Sequence, residues 1–242
     1  MKSLIVGATA GLGRSIVYEL ASKNHDLFLI GTDIRDLNAI CNDVYYKFKV
    51  KCNVLSYNLA VLDHNFKNKI KHWGIPQNIF LIAGSFVDDD AYNIGLDVLE
   101  KLIRINFEAP LKIINFYHNE IANDSISNII GIGTVASIRP RNTSIVYASS
   151  KSGLYFYLRA MSHLFIKSKC KFQYYHLGLM ETNMTFGKKT LLPTVNPERI
   201  ARKICKNMGK NCIGKYLPHW WLFISIILNL IPGFIFKRMT LK

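Results

Sequence analysis

Ser3-Leu4-Ile5-Val6-Gly7-Ala8-Thr9-Ala10-Gly11-Leu12-Gly13-Arg14 decides the architecture of this chain. Ser3 to Val6 is a short apolar run, and after Arg14 apolar residues recur at Ile16, Val17, Leu20 and Ala21, the spacing of one helical face continuing to Lys23. The order is therefore strand, glycine loop, helix. Glycines at 7, 11 and 13 let the main chain approach a pyrophosphate, whose charge is met by the free N–H groups and the positive dipole end of the helix. The spacing G-x-x-x-G-x-G differs from the commoner G-x-G-x-x-G, and taken alone it also fits a tight turn.

The pattern repeats downstream. Leu27–Ile30, Val50–Tyr57, Asn78–Ile82, Asn128–Ile132, Phe172–Leu177 and Cys212–Leu217 read as further strands. Between them helices are expected from near Asp33 (Leu37, Ile40 and Val44 on one face), over Asp63–His72, as one long helix over Asp97–His118, over Val146–Lys167 and over Pro197–Met208. Near-continuous apolar strands alternating with helices predict a parallel sheet covered on both faces. No repeat, linker or low-complexity run interrupts it, so residues 1–217 read as one domain, followed by an apolar segment at 218–242.

Composition excludes disorder, collagen and coiled coil, since half of the 242 residues are apolar. Five cysteines without a C-x-x-C pair, and no signal peptide, argue for a reducing, cytoplasmic compartment and against a zinc site. The net charge of +15 lies wholly in residues 121–242, where 18 basic side chains face only Asp124, Glu181 and Glu198. An anionic membrane surface, a phosphorylated substrate and a merely solvated basic face all fit. Nucleic acid does not, because the aromatics there lie mostly in apolar runs without a stacking pattern.

Four residues carry candidate chemistry. Tyr147 and Lys151, in Tyr147-Ala-Ser-Ser-Lys151, share one helical face, so the ammonium can favour the ionised phenol and make the tyrosine a general acid or base. Thr134, past the fifth strand, places a hydroxyl where ligands of open α/β sheets bind, or caps the local turn. Asn106 in mid-helix is unfavourable by propensity and implies a tertiary use.

Together these residues resemble the short-chain dehydrogenase/reductase family over residues 2 to 217, including Leu177-Gly178-Leu179-Met180-Glu181-Thr182 after the sixth strand. The resemblance implies a single-domain Rossmann fold, a doubly wound parallel sheet, and an NAD(P)H-dependent oxidoreductase. By it, Tyr147 is the proton donor to a carbonyl, Lys151 lowers its pKa and bonds the nicotinamide ribose, Thr134 orients the carbonyl, and Asn106 positions a water linking Lys151 to solvent. The cofactor would lie against Gly7, Thr9, Ala10, Gly11, Leu12, Gly13 and Arg14, with Asn58 and Leu59 flanking the adenine. Ala83 and Gly84 would back it, and Gly178, Met180 and Thr182 would hold the carboxamide. Four departures stand out: Val6 replaces the family's threonine, Leu81-Ile82 replaces a pair of asparagines, Thr134 replaces serine and Leu177 replaces proline. The lost asparagines affect how the sheet centre is tied, and Leu177 is expected to loosen the nicotinamide loop.

Small Gly31, where NAD enzymes of the family place an acid, with Thr32 beside it and Arg14 and Arg35 close by, favours NADP(H); Asp33 keeps NAD as the other reading. The resulting function is a carbonyl reductase on a lipid-linked or phosphorylated keto substrate. The alternatives are a 3-oxoacyl carrier-protein-type reductase and a non-catalytic nucleotide-binding protein. The family implies a homo-oligomer and a substrate lid at about Asn183–Glu198, where Phe186, Lys188, Lys189, Leu191 and Leu192 mix basic and apolar lining. Trp220–Phe236 carries no charge but is too short, and too broken by Pro232-Gly233, for a span, so it lies peripherally at the inner face of a membrane or packs on protein.

Overall fold

A computed structural model describes the chain except for residues 10, 88–89, 91–93, 182–191 and 239–242. The apolar runs form seven strands, β1 (Lys2–Val6), β2 (Asp26–Gly31), β3 (Cys52–Ser56), β4 (Asn78–Leu81), β5 (Asn128–Thr134), β6 (Lys171–Leu177) and β7 (Cys212–Leu217). All neighbours pair in parallel, in the order β3-β2-β1-β4-β5-β6-β7. The helices are α1 (Gly11–Ala21), α2 (Ile34–Phe48), α3 (Asn65–Ile70), α4 (Leu96–Ile103), α5 (Ala109–Phe116), α6 (His118–Ala122), α7 (Ile145–Leu164), α8 (Pro197–Lys206), α9 (Trp221–Leu230) and α10 (Gly233–Phe236).

Each central strand feeds two cores, which is why its sequence shows no polar alternation. In β1, Ile5 packs with Ile16 and Leu20 of α1, Leu37 and Ile40 of α2 and Ile204 of α8. Leu4 and Val6 point the other way, into a core with Phe66 of α3, Ile113 and Ile114 of α5 and Leu154 and Leu158 of α7.

The expected long helix over Asp97–His118 is divided. A π-helical turn at Arg104–Glu108 separates α4 from α5, closed by the Ala109 N–H donating to the Arg104 carbonyl. Pro110 explains it: proline has no N–H to return to the Asn106 carbonyl four residues back, and a widened turn absorbs the loss. Asn106 sits in that turn, fully buried.

At the amino ends of the strands a buried polar chain crosses the sheet. Ser3 Oγ is 2.8 Å from His25 Nδ1, Asn78 Nδ2 donates to Ser3 Oγ (3.1 Å), Asn128 Nδ2 donates to Asn78 Oδ1 (2.8 Å), and Asn128 Oδ1 accepts the Gly209 N–H (2.7 Å). This chain ties the sheet centre without the asparagines missing at Leu81-Ile82, where the Ile82 and Ala83 N–H groups simply donate to the Val6 carbonyl. All five cysteines are free, with Cys170, Cys205 and Cys212 buried and the Cys41 thiol donating to the Cys52 carbonyl.

Beyond β7, α9 and α10 lie against the body. Trp221 packs on Gly178, where a Cβ would fall 1.8 Å from its Nε1. Arg139 donates to the carbonyls of Leu228 and Ile231, and its guanidinium lies 4.1 Å over the Phe236 ring. Among the described residues no helix is long and apolar enough to cross a membrane.

Candidate active site

Six strands end on one cavity of about 430 Å³. Its floor is the glycine loop: Gly7, Thr9, Gly11 and Leu12 line it. Gly7 has φ +95°, and a Cβ there would come within 2.6 Å of the Ala83 nitrogen, so this position requires glycine. At Gly13 a Cβ would fall 1.8 Å from the Gly7 carbonyl oxygen, which makes this glycine the contact between α1 and the loop rather than part of the wall. The cavity is thus a cradle of bare main chain at the N-terminus of an eleven-residue helix, a fit for a phosphate-bearing cofactor.

Thr32 lines the wall at the end of β2, as do Asn58 and Leu59 after β3. The Asn58 side chain accepts the Ala60 N–H and so fixes its own turn. Ala83 and Gly84 follow β4, Met180 follows β6, and Tyr147 and Lys151 project from α7. The structure therefore gathers most of the expected residues around one space. Ala10 and Thr182 lie outside the described residues, as do residues 183–191 of the expected lid.

Other residues are placed differently from the expectation. Arg14 faces a separate cleft with Ser15, Tyr18 and Glu198. Arg35 projects into solvent and pairs with Asp33 (3.1 Å), whose carboxylate also accepts the Arg35 N–H (2.8 Å) as the N-cap of α2. Thr134 does not line the cavity; its Oγ1 accepts the Ala136 N–H (3.1 Å), the turn-capping alternative, and Ile132 and Gly133 form the wall there. Gly178 is covered by Trp221 instead of opening on the cavity. Leu177 itself is buried in register with Leu217 and the Gly178 N–H donates to the Leu217 carbonyl (3.0 Å), so the chain is held rather than loosened where it leaves β6.

Asn106 spends its amide on main chain rather than on Lys151. Its amide clasps the Ser85 main chain, Oδ1 accepting the N–H (2.9 Å) and Nδ2 donating to the carbonyl (2.8 Å). It thereby fixes the segment at Gly84, beside which Lys151 Nζ lies as it donates to the Ala83 carbonyl (3.3 Å). Burial pushes the Tyr147 phenol up to about 12 and the Lys151 ammonium down to about 8. Desolvation is the cause of both displacements, disfavouring the charged form of each group.

Gly31 and Leu177, singled out in the sequence, line the wall too, whereas sequence reasoning missed Tyr57, Ile82, Ser85, Ile105, Ile132 and Gly133. It also missed Asp90. This carboxylate, 2 % exposed, accepts the Tyr147 N–H (2.7 Å) in the first turn of α7, where Ser144 makes no side-chain cap. The Phe86 ring stands edge-on to Tyr147 at 5.2 Å.

The sequence model of the short chain dehydrogenase family matches residues 2–190. Among relatives, an uncharacterized oxidoreductase of Staphylococcus epidermidis is 21% identical over 80% of this chain and 86% of its own length. The human very-long-chain 3-oxoacyl-CoA reductase is 24% identical over 99% of this chain and 78% of its own. A short-chain dehydrogenase from Sphingobium yanoikuyae in complex with NADPH superposes with a TM-score of 0.81 at 17% identity, over 95% of this chain and 94% of that one. A match running through most of the sequence, on this strand order, leaves one assignment: the chain belongs to the short-chain dehydrogenase family, oxidoreductases of alcohol and carbonyl groups.

Proposed function

We propose that the chain is an NADP(H)-dependent carbonyl reductase and alcohol dehydrogenase acting on a long-chain, lipid-linked or phosphorylated keto substrate. One observation carries the reaction type: Tyr147 and Lys151 open onto the same cavity as the glycine cradle. Bound NADPH would supply hydride to a carbonyl carbon there.

The chain's residues supply the proton and the positioning. The Tyr147 phenol, held at about 12, is protonated at neutral pH and is the donor to the reduced oxygen. Lys151, at about 8, keeps its charge at pH 7 and would stabilise the phenolate left behind. Thr134, whose Oγ1 caps the turn at Ala136 just behind the wall at Gly133, would have to turn its hydroxyl hydrogen into the cavity to orient the carbonyl. Asn106 acts through Ser85 as a positioning residue for the Lys151 pocket. Met180 and Thr182 would hold the carboxamide, and Asn58 and Leu59 the adenine.

Asp33 supports NADP(H) over NAD. Its carboxylate is occupied by capping α2 and by Arg35, so it is withdrawn from a ribose 2′-hydroxyl, and a 2′-phosphate would have to draw the exposed Arg35 guanidinium out of that pair. Resemblance to very-long-chain 3-oxoacyl-CoA reductases supports a long-chain substrate and keeps an acyl thioester as the second reading. The test is NADPH and NADH oxidation with purified protein against keto-lipids, lipid-linked keto-sugars and 3-oxoacyl thioesters. Turnover of a keto-lipid or keto-sugar with NADPH supports the reading. Turnover confined to thioesters selects the second, and NADPH binding without any turnover sinks both.

A further inference from the structure

The C-terminal helices present an apolar face that the body does not cover. α9 buries only Trp221 and Ser225, whereas Leu222, Phe223, Ile226, Ile227 and Leu230 stand 44–76% exposed and Phe234 of α10 extends them. Single exposed apolar side chains are ordinary, but a contiguous set of this size marks an interaction surface. The segment is fixed in place, since Arg139 holds the Leu228 and Ile231 carbonyls and Trp221 packs on Gly178.

We infer that this face docks on the surface of an anionic lipid bilayer. Exposed Lys237 and Arg238 follow α10 directly, and no Asp or Glu occurs anywhere after Glu198. A second copy of the chain meeting this face about a two-fold axis would bring the same cations together with no carboxylate between them. Lipid phosphates supply the missing negative charge. The ten residues of α9 span about 15 Å, half of a hydrocarbon core of about 30 Å, so the helix lies in the interface plane. Trp220, stacked on Trp221 at 4.9 Å, is suited to headgroup depth.

Helix α9 follows the carboxyl end of β7 and, through buried Trp221, touches Gly178 at the end of β6, the end of the sheet on which the cavity opens. Docking would bring that mouth toward the lipid. The inference rests on the proposed reading for its purpose, but its test needs no turnover.

The experiment is flotation of the full-length chain with phosphatidylcholine vesicles, with and without phosphatidylglycerol. Wild type should float with the anionic vesicles and much less with the neutral ones. Phe223→Glu/Ile227→Glu, at exposed positions, should abolish flotation while thermal stability and NADPH binding stay unchanged. Lys237→Gln/Arg238→Gln should weaken anionic partitioning roughly thirtyfold, about 2 kcal/mol for two basic residues. Wild type failing to float, both variants floating like wild type, or a dimer that Phe223→Glu/Ile227→Glu converts to monomer would each overturn it, the last making the face a subunit contact. Flotation without catalysis would instead fault the enzymatic reading alone.

Discussion

The two ends of the sheet are built on opposite rules. At the amino ends, His25, Ser3, Asn78 and Asn128 are buried polar groups satisfied in an unbroken chain that finishes on the Gly209 N–H. At the carboxyl ends, Asp90 Oδ1, His176 Nδ1 and Trp221 Nε1 are buried without a hydrogen-bond partner among the described residues, and Tyr147 and Lys151 are displaced from their ordinary ionisation. A fourth such atom, Glu120 Oε2, belongs to α6, and that carboxylate's other oxygen is held by Lys67. Buried polar groups normally find partners, so a cluster left short indicates where stability has been given up for binding. One end specifies the fold and the other is arranged to act.

That contrast can be broken. The largest effect should come from Tyr147→Phe, which removes the proton donor and little surface: kcat for carbonyl reduction should fall about 10²–10⁴-fold, with thermal stability and NADPH binding unchanged. Asn128→Ala should do the reverse. It strands Asn78 Oδ1 and the Gly209 N–H and should cost about 3 kcal/mol, a Tm loss of roughly 5–15 °C, while activity of the folded fraction is kept. Equal Tm losses in the two variants would erase the distinction between the ends.

His176 sharpens it. The ring stacks on Tyr216 at 4.9 Å and is pushed by burial down to about 4. A histidine whose folded pKa lies below its unfolded one binds protons more readily when unfolded, so stability is lost as pH falls below about 6.5. By pH 5 the loss should reach about 2 kcal/mol, and His176→Phe should remove that part of the slope in denaturant titrations at pH 5 and 7.5. The smallest effect belongs to Arg35→Ala. Exposed and paired with Asp33, Arg35 should account for only a few-fold of any preference for NADPH over NADH in direct titration.

The same contrast explains what was legible in the chain. Strands were readable because β1, β4 and β5 are buried on both faces and keep unbroken apolar runs. Gly7, Tyr147 and Lys151 were readable because their geometry is local: a turn, and two positions one helical turn apart. Asp90 was invisible, since its partner lies 57 residues away. The pairing of Arg35 was hidden because it depends on Asp33, two residues before it, turning back to cap α2. The division of the helix at Asn106 was in principle visible in Pro110, four residues on. The amino-end network resisted reading because Ser3, Asn78 and Asn128 are ordinary polar residues until the parallel register sets Ser3 beside Asn78 and Asn78 beside Asn128.

The free cysteines have a practical consequence. Burial holds the thiols of Cys52, Cys170 and Cys205 above their ordinary range, so a thiol-alkylating reagent meets almost no thiolate until the surrounding structure opens. Cys41 and Cys52 report on α2 and the edge strand β3, Cys170 on the start of β6, and Cys205 and Cys212 on α8 and the opposite edge strand β7. Their alkylation rates under native conditions would form a clock with several hands, timing the breathing of the molecule from one flank to the other without an introduced label.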